Sequence, residues 1–206
     1  SGSGIAVEVR RSGSVLGGVP CHVSQVGALM VPTIAFSPAR AGYVVDIMLN
    51  FTVSQGAEEY EVFNLTLPGF TGPAFFEHHV HAESNGKQIT VLATWIPAEQ
   101  ILSFFPSCGD KIGRGHFVRI LVANTLNLRL PILGVRNTTH ATLALNSKNG
   151  IVLPAPVLTP AVGMLKSSTF DVNPRKSGAQ VDISVSFIPQ MDLFAGDKIR
   201  LHLDGF

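Results

Sequence analysis

Charge is scarce in this chain. Asp, Glu, Lys and Arg make up 14% of its 206 residues, and 15 basic against 14 acidic side chains leave a formal net charge of +1. So small a balance excludes a basic field able to hold a nucleic-acid backbone or an anionic membrane surface. With 46% hydrophobic residues, the low charge also excludes a solvated disordered chain. Long apolar runs are missing too. None reaches ten residues, and a bilayer-spanning helix needs about 20. The opening SGSG has neither the charged nor the apolar region of a secretory signal. There are only two cysteines and one tryptophan. Glycine and proline are plentiful, at 20 and 13, which argues against long helical bundles. What remains is a soluble, turn-rich β protein.

The chain repeats itself. Displaced by 136 residues, positions 1–70 align with 137–206 without a gap, giving 15 identities where about 4 are expected by chance. TIAFSPARAGYVVDIMLNF at 33–51 returns as TFDVNPRKSGAQVDISVSF at 169–187. Thr33, Pro38, Gly42, Val45, Asp46, Ile47 and Phe51 reappear as Thr169, Pro174, Gly178, Val181, Asp182, Ile183 and Phe187. LTLPGF at 65–70 returns as LHLDGF at 201–206, and Pro20, Val26, Gly27 and Leu29 match Pro156, Val162, Gly163 and Leu165. These are turn formers and inward apolar positions, which a shared fold must keep. Segment 71–136 has no second copy. The expected division is therefore a tail of a preceding unit at 1–25, a complete domain at 26–160 and the opening half of another at 161–206. An ancient duplication inside one domain is the competing division, and the unpaired middle speaks against it.

Alternation with period two dominates the local pattern. Tyr43, Val45, Ile47, Leu49 and Phe51 share one parity, as do Phe63, Leu65 and Leu67, and Ile89, Val91, Ala93 and Trp95. Further strands are expected at 5–10, 75–81, 117–123, 126–131 and 140–145, with hairpin turns at Ser84-Asn85-Gly86 and Asn149-Gly150. IPAEQILSFF predicts one short helix near 97–105, since Pro97 and Glu99 suit a first turn and Ile101, Leu102 and Phe105 could face inward. Seven to nine alternating strands per unit point to an all-β, antiparallel Greek-key sandwich. Thirteen Phe suit the filling between two sheets.

A Pro-x3-Gly turn before an alternating strand, then a Gly-Asp-x-Ile-x-Leu element, resembles the immunoglobulin-like repeats of very large, secreted, tandem-domain surface and fibre proteins. AGDKIRLHLDGF at 195–206 carries that element and CGDKIG at 108–113 echoes it, whereas EYEVFNLTLPGF at 59–70 lacks the Gly-Asp. The resemblance covers the two repeated segments, 1–70 and 137–206. It implies an extracellular or cell-surface scaffold and carries no catalytic residue across.

Candidate chemistry is sparse. Asn50, Asn64 and Asn137 each open an N-x-[ST] sequon, against roughly one expected by chance, and Asn50 and Asn64 take the outward parity of their strands. All three are candidate glycosylation sites. His79 and His81 share a strand face about 7 Å apart, a weak candidate metal pair without a placed third ligand. A histidine-rich surface strand is the plainer reading. Cys21 and Cys108 are a candidate disulfide, paired or free, and Val157 replaces Cys21 in the second copy. Asp46 and Asp182 could ligate calcium, but no ligand cluster accompanies them, and turn capping fits better. Phosphate loops, nucleophile elbows and zinc-protease motifs are absent.

No cofactor and no enzymatic activity are expected. The expected role is structural, in an extracellular fibre, coat or appendage whose partners are further copies of itself or adjacent repeats, with glycans attached covalently and neither nucleic acid nor a membrane span. The alternatives are an adhesin or glycan-binding module using 70–81, and a pilin-like or capsid-like subunit.

Overall fold

Inward apolar residues at every second position make strands wherever turn formers leave them room, and the computed structural model bears this out. It describes residues 6–11, 14–20, 27–136, 141–148 and 150–204, with side chains over 27–136, 141–148 and 152–204. Thirteen strands are found among the described residues. They are β1 (Ala6–Arg11), β2 (Ser14–Pro20), β3 (Leu29–Ser37), β4 (Asp46–Val53), β5 (Val62–Thr66), β6 (Phe75–Ser84) and β7 (Lys87–Ile96). β8 (Ile101–Pro106), β9 (Phe117–Val122), β10 (Thr142–Ser147), β11 (Gly150–Pro156), β12 (Leu165–Asn173) and β13 (Asp182–Pro189) follow.

Nine strands hydrogen-bond into one sheet in the order β11-β10-β5-β8-β7-β6-β9-β4-β3, and every pair is antiparallel. Instead of two separate facing sheets, this single sheet curls until its ends nearly meet. Leu158, just past β11, forms a parallel bridge to Thr33 of β3, with Ile34 N donating to Leu158 O at 3.0 Å and Leu158 N to Pro32 O at 2.8 Å. The result is a nearly closed barrel whose two terminal strands are not left as raw edges. Its interior is filled by Trp95, Phe51, Phe63 and Phe104, all essentially inaccessible, and the Phe51 and Phe63 rings lie 5.1 Å apart. The core draws its buried residues from Leu29 to Val162.

Two further sequence expectations are corrected. Residues 97–105 form no helix. Pro97–Gln100 is a turn, closed by the Ile96–Ile101 pair, and β8 follows it between β7 and β5. The helical spacing of Ile101, Leu102 and Phe105 loses to period two, which buries Leu102 and Phe104 completely and turns Ile101, Ser103 and Phe105 outward. Residues 126–131 form no continuous strand. A 3-10 turn occupies Asn124–Leu126, and Arg129 makes isolated bridges to Val44 and Thr71. The hairpin at 84–87 is as expected. Asn85 (φ 50°) and Gly86 (φ 76°) take the two left-handed positions that a two-residue turn matched to strand twist requires.

Outside the barrel, β1 pairs with β2 and β12 with β13 as separate antiparallel hairpins. Their bounds are informative. Under the shift that carries 1–70 onto 137–206, β1 and β2 take the limits of β10 and β11, and β3 and β4 those of β12 and β13. Pairing follows the same interval. Val7↔Val19 corresponds to Leu143↔Ala155, and Phe170↔Val185 to Ile34↔Leu49. Gly27 and Gly163, like Gly42 and Gly178, are matched in positive φ as well.

Candidate functional site

The β12–β13 hairpin carries the sequence pattern of a core element and is nevertheless uncovered. Position by position its apolar residues match buried ones in the barrel. Leu29 is 7% exposed and Leu165 57%; Leu49 is inaccessible and Val185 41% exposed; Leu65 is inaccessible and Leu201 49% exposed. Phe170, Ile183, Ile188 and Ile199 are exposed on the same segment. So large a concentration of exposed apolar residues is unusual on a folded surface. A two-stranded hairpin is in addition marginal in stability by itself. At its base lies a hollow of about 180 Å³ lined by Leu165, Phe187, Met191, Leu193 and Ile199, among others.

One arginine ties this segment to the barrel. The Arg40 guanidinium lies 4.1 Å from the Tyr43 ring centroid and 4.6 Å from that of Phe194, and it donates to the Asp197 carboxylate. Its side chain is only 12% exposed, so the cation is held between two aromatic faces and one counter-ion. Asp192 N donates to Ala39 O, which adds a backbone tie. Gly134 and Gly163 approach so closely that a Cβ built on either would lie 3.1 Å from the other's Cα. A Cβ on Gly134 would lie 2.1 Å from Val162 O.

Asp197 also closes a local turn, accepting from Phe194 N at 2.8 Å, as Glu61 accepts from Glu58 N at 2.9 Å at the corresponding place in the barrel. Glu61 goes further. Though nearly inaccessible, its other oxygen takes the Ser147 hydroxyl and the Lys148 amide, each at 2.7 Å, so it latches the start of β5 to the β10–β11 turn. Burial alone would raise this carboxyl's pKa; hydrogen bonds from Ser147, Glu58 and Lys148, with the Lys148 charge, outweigh it and leave the pKa lowered. Asp110 is also lowered, by hydrogen bonds from Thr90. The exposed Tyr60 is raised, first by the charge of Glu59.

The residues singled out by sequence do not converge. Asn50 sits in β4 opposite Thr33 and Arg119, half-buried, with its Oδ1 inaccessible and unpartnered. Asn64, half-buried in β5, accepts from Ser103 Oγ at 2.7 Å. Asn137 and Cys21 lie outside the described residues. Cys108 is an exposed free thiol in the turn after β8. His79 and His81 are exposed on β6, and His81 Nε2 is 3.5 Å from Glu83 Oε1. Among the described residues no group of three His, Cys, Asp or Glu is arranged to hold a metal. Asp46 accepts from Asn124 N at 2.7 Å, the turn-capping role expected of it, and Asp182 is exposed.

A scan against protein-family models finds no match, and a search of curated proteins finds no relative. Sequence reasoning misses the two residues that matter most here, Glu61 and Arg40. Glu61 does leave a signal, because an acid stands there on the inward parity of Phe63 and Leu65. Ser84 and His116 are missed as well. The Ser84 hydroxyl lies 2.8 Å from His116 Nδ1, which also accepts from Gly113 N. Both contacts meet at one ring nitrogen and tie the end of β6 to the loop before β9.

Proposed function

We propose that the chain is a structural segment of an extracellular tandem-repeat fibre, coat or cell appendage, built from immunoglobulin-like β units that recur at the interval of the sequence repeat. The observation that carries this reading is the shared interval. Two hairpins flanking the barrel have the bounds and pairing of the barrel's own last and first hairpins. Residues 26–160 are then one full unit, preceded by the closing hairpin of one neighbour and followed by the opening hairpin of the next. The β5-β8-β7-β6 order, with three hairpin-linked strands and an earlier strand beside the last of them, is the Greek-key arrangement that such units use. The connector supports a scaffold as well. The link from Leu158 to Gly163 is short and carries Pro160, which restricts its backbone, and the Arg40 contacts fix the next unit against the last.

An antibody raised against the chain should decorate an extracellular fibre or coat on unpermeabilised cells of the source. Labelling only after permeabilisation overturns the proposal. Peptide mass mapping of the same material bears on location, since glycans at Asn50, Asn64 or Asn137 require secretion. The adhesin reading draws on one observation, the exposed Phe76 beside His78, His79 and His81. Binding to a glycan array that Phe76→Ala abolishes would favour it.

A further inference from the structure

We propose that the free edge of β13 is a docking site for one kind of strand. That strand has the chemistry of β9 and is supplied by the middle segment of a further unit. The proposal rests on the tandem reading above and specifies the contact through which one unit completes the next.

The barrel supplies the template. β4, the counterpart of β13, is flanked by β3 on one side and β9 on the other, with Ile47↔Val122, Leu49↔Ile120 and Phe51↔Val118 among its pairs. β13 has its β3 counterpart, β12, in the same register and, among the described residues, no strand on its other side. Three features of that bare edge match what β4 offers β9. Its inward positions are Ile183, Val185 and Phe187 where β4 has Ile47, Leu49 and Phe51, so the inward face that β4 shares with β9 is kept apolar. Its outward positions Ser184 and Ser186 are small and uncharged, without the lysine or inward charge by which edge strands usually repel pairing. Asp182 stands where Asp46 accepts the Asn124 amide just past β9. It is exposed and in position to receive the equivalent amide of an arriving segment.

The occupant follows from these requirements. It must be extended and antiparallel, with apolar residues of the size of Val118, Ile120 and Val122 at alternate positions, and it must be followed by a turn whose amide reaches Asp182. Among the described strands, β9 of segment 71–136 is the one that meets the equivalent edge of β4. The strand should dock with Ile183 opposite the equivalent of Val122, Val185 opposite that of Ile120 and Phe187 opposite that of Val118. Recognition would be by main-chain hydrogen bonds, with alternate side chains setting the register.

The test is hydrogen exchange on the full chain extended, after Phe206, by a second copy of residues 71–160. The alternate amides of 182–188 that are turned away from β12, fast in the chain alone, should slow by about 100-fold or more, approaching their counterparts in 46–52. A synthetic peptide of residues 114–124, added in trans to the unextended chain, should slow the same amides in a concentration-dependent way. A scrambled peptide should not, and Val185→Arg should abolish the effect in both formats. Unchanged exchange at 182–189 with both extension and peptide overturns the proposal, as does protection along the outer edge of β12 instead. Slow exchange in the dilute chain alone at the alternate amides turned away from β12 overturns it too, since the edge would not be free. The outcomes separate from those of the fibre reading. Bare β13 amides with extracellular labelling sink only the docking, and protected amides with purely intracellular labelling sink only the fibre.

Discussion

Removing the Glu61 carboxylate should destabilise the barrel far more than the loss of one surface-chain acid suggests. Glu61 is 2% exposed and accepts three hydrogen bonds, from the Ser147 hydroxyl, the Lys148 amide and the Glu58 amide. Glu61→Ala strips all three donors of their acceptor at once. An unsatisfied buried donor costs about 1–3 kcal/mol. The Lys148 and Glu58 amides belong to exposed residues and can recover water, so the Ser147 hydroxyl carries most of the loss and roughly 1–3 kcal/mol is the expected total. For a unit of this size that lowers Tm by about 3–10 °C. Glu61→Gln keeps one acceptor and sets its amide group against a donor, so about half the loss remains. The pH dependence isolates the charge. Because the folded pKa is lowered from 4.5, the stabilisation is fully present above the unfolded value and disappears as pH falls through the folded one. The wild type should therefore lose stability below about pH 4.5 more steeply than Glu61→Gln. Comparing the two cancels the parallel contribution of Asp110. Melts followed by circular dichroism at pH 7 and pH 3 suffice. A Glu61→Ala variant whose stability at pH 7 lies within about 0.5 kcal/mol of wild type, as for an ordinary surface substitution, refutes the reasoning. Equal pH slopes for wild type and Glu61→Gln refute it too.

Gly134→Ala should disrupt the junction, because its φ is +78° and the new Cβ meets the Val162 carbonyl at 2.1 Å; a loss of more than about 2 kcal/mol is expected in thermal melts, and a neutral variant contradicts it. Arg40→Ala should leave the barrel melt nearly unchanged while speeding exchange at 190–197, and equal exchange rates would show that Arg40 does not hold the hairpin. Cys108, exposed and free, should react with a thiol reagent in the native chain; a silent native thiol that appears only after reduction would establish the pairing with Cys21.

Strand content is legible because the signal is local. Phe63, Leu65 and Leu67, or Ile89, Val91, Ala93 and Trp95, report their own burial through alternation, without knowledge of their neighbours. The shift that carries 1–70 onto 137–206 is legible for a similar reason, since matched turn residues such as Gly42 and Gly178 need the same backbone wherever they occur. The span 97–105 misleads because Leu102 and Phe104 can be assigned inward only by knowing that β5 and β7 flank them. Barrel closure is hidden altogether, since it depends on Leu158 meeting Thr33 from the far end of the unit. The candidate site divides along the same line. Exposed apolar residues on β12 and β13 are recognisable in advance, because three strands cannot close a core. The Arg40–Asp197 tie is not, being one contact between charged residues with ordinary solvated alternatives.

The seam between Thr33 and Leu158 has a mechanical consequence. The two strands there run parallel, with the chain entering β3 at its N-terminal end and leaving beyond Leu158 towards the next hairpin. Tension applied to the ends of the unit would pull these segments lengthwise past each other. The Ile34–Leu158 and Leu158–Pro32 hydrogen bonds would then be loaded in shear, together, instead of being peeled one after another. Rupture force in such a geometry is governed by the unfolding barrier and not by equilibrium stability. Two units with the same melting temperature could then differ widely in strength under load, and substitutions that break the Leu158 bridge should weaken the pulled chain more than the heated one.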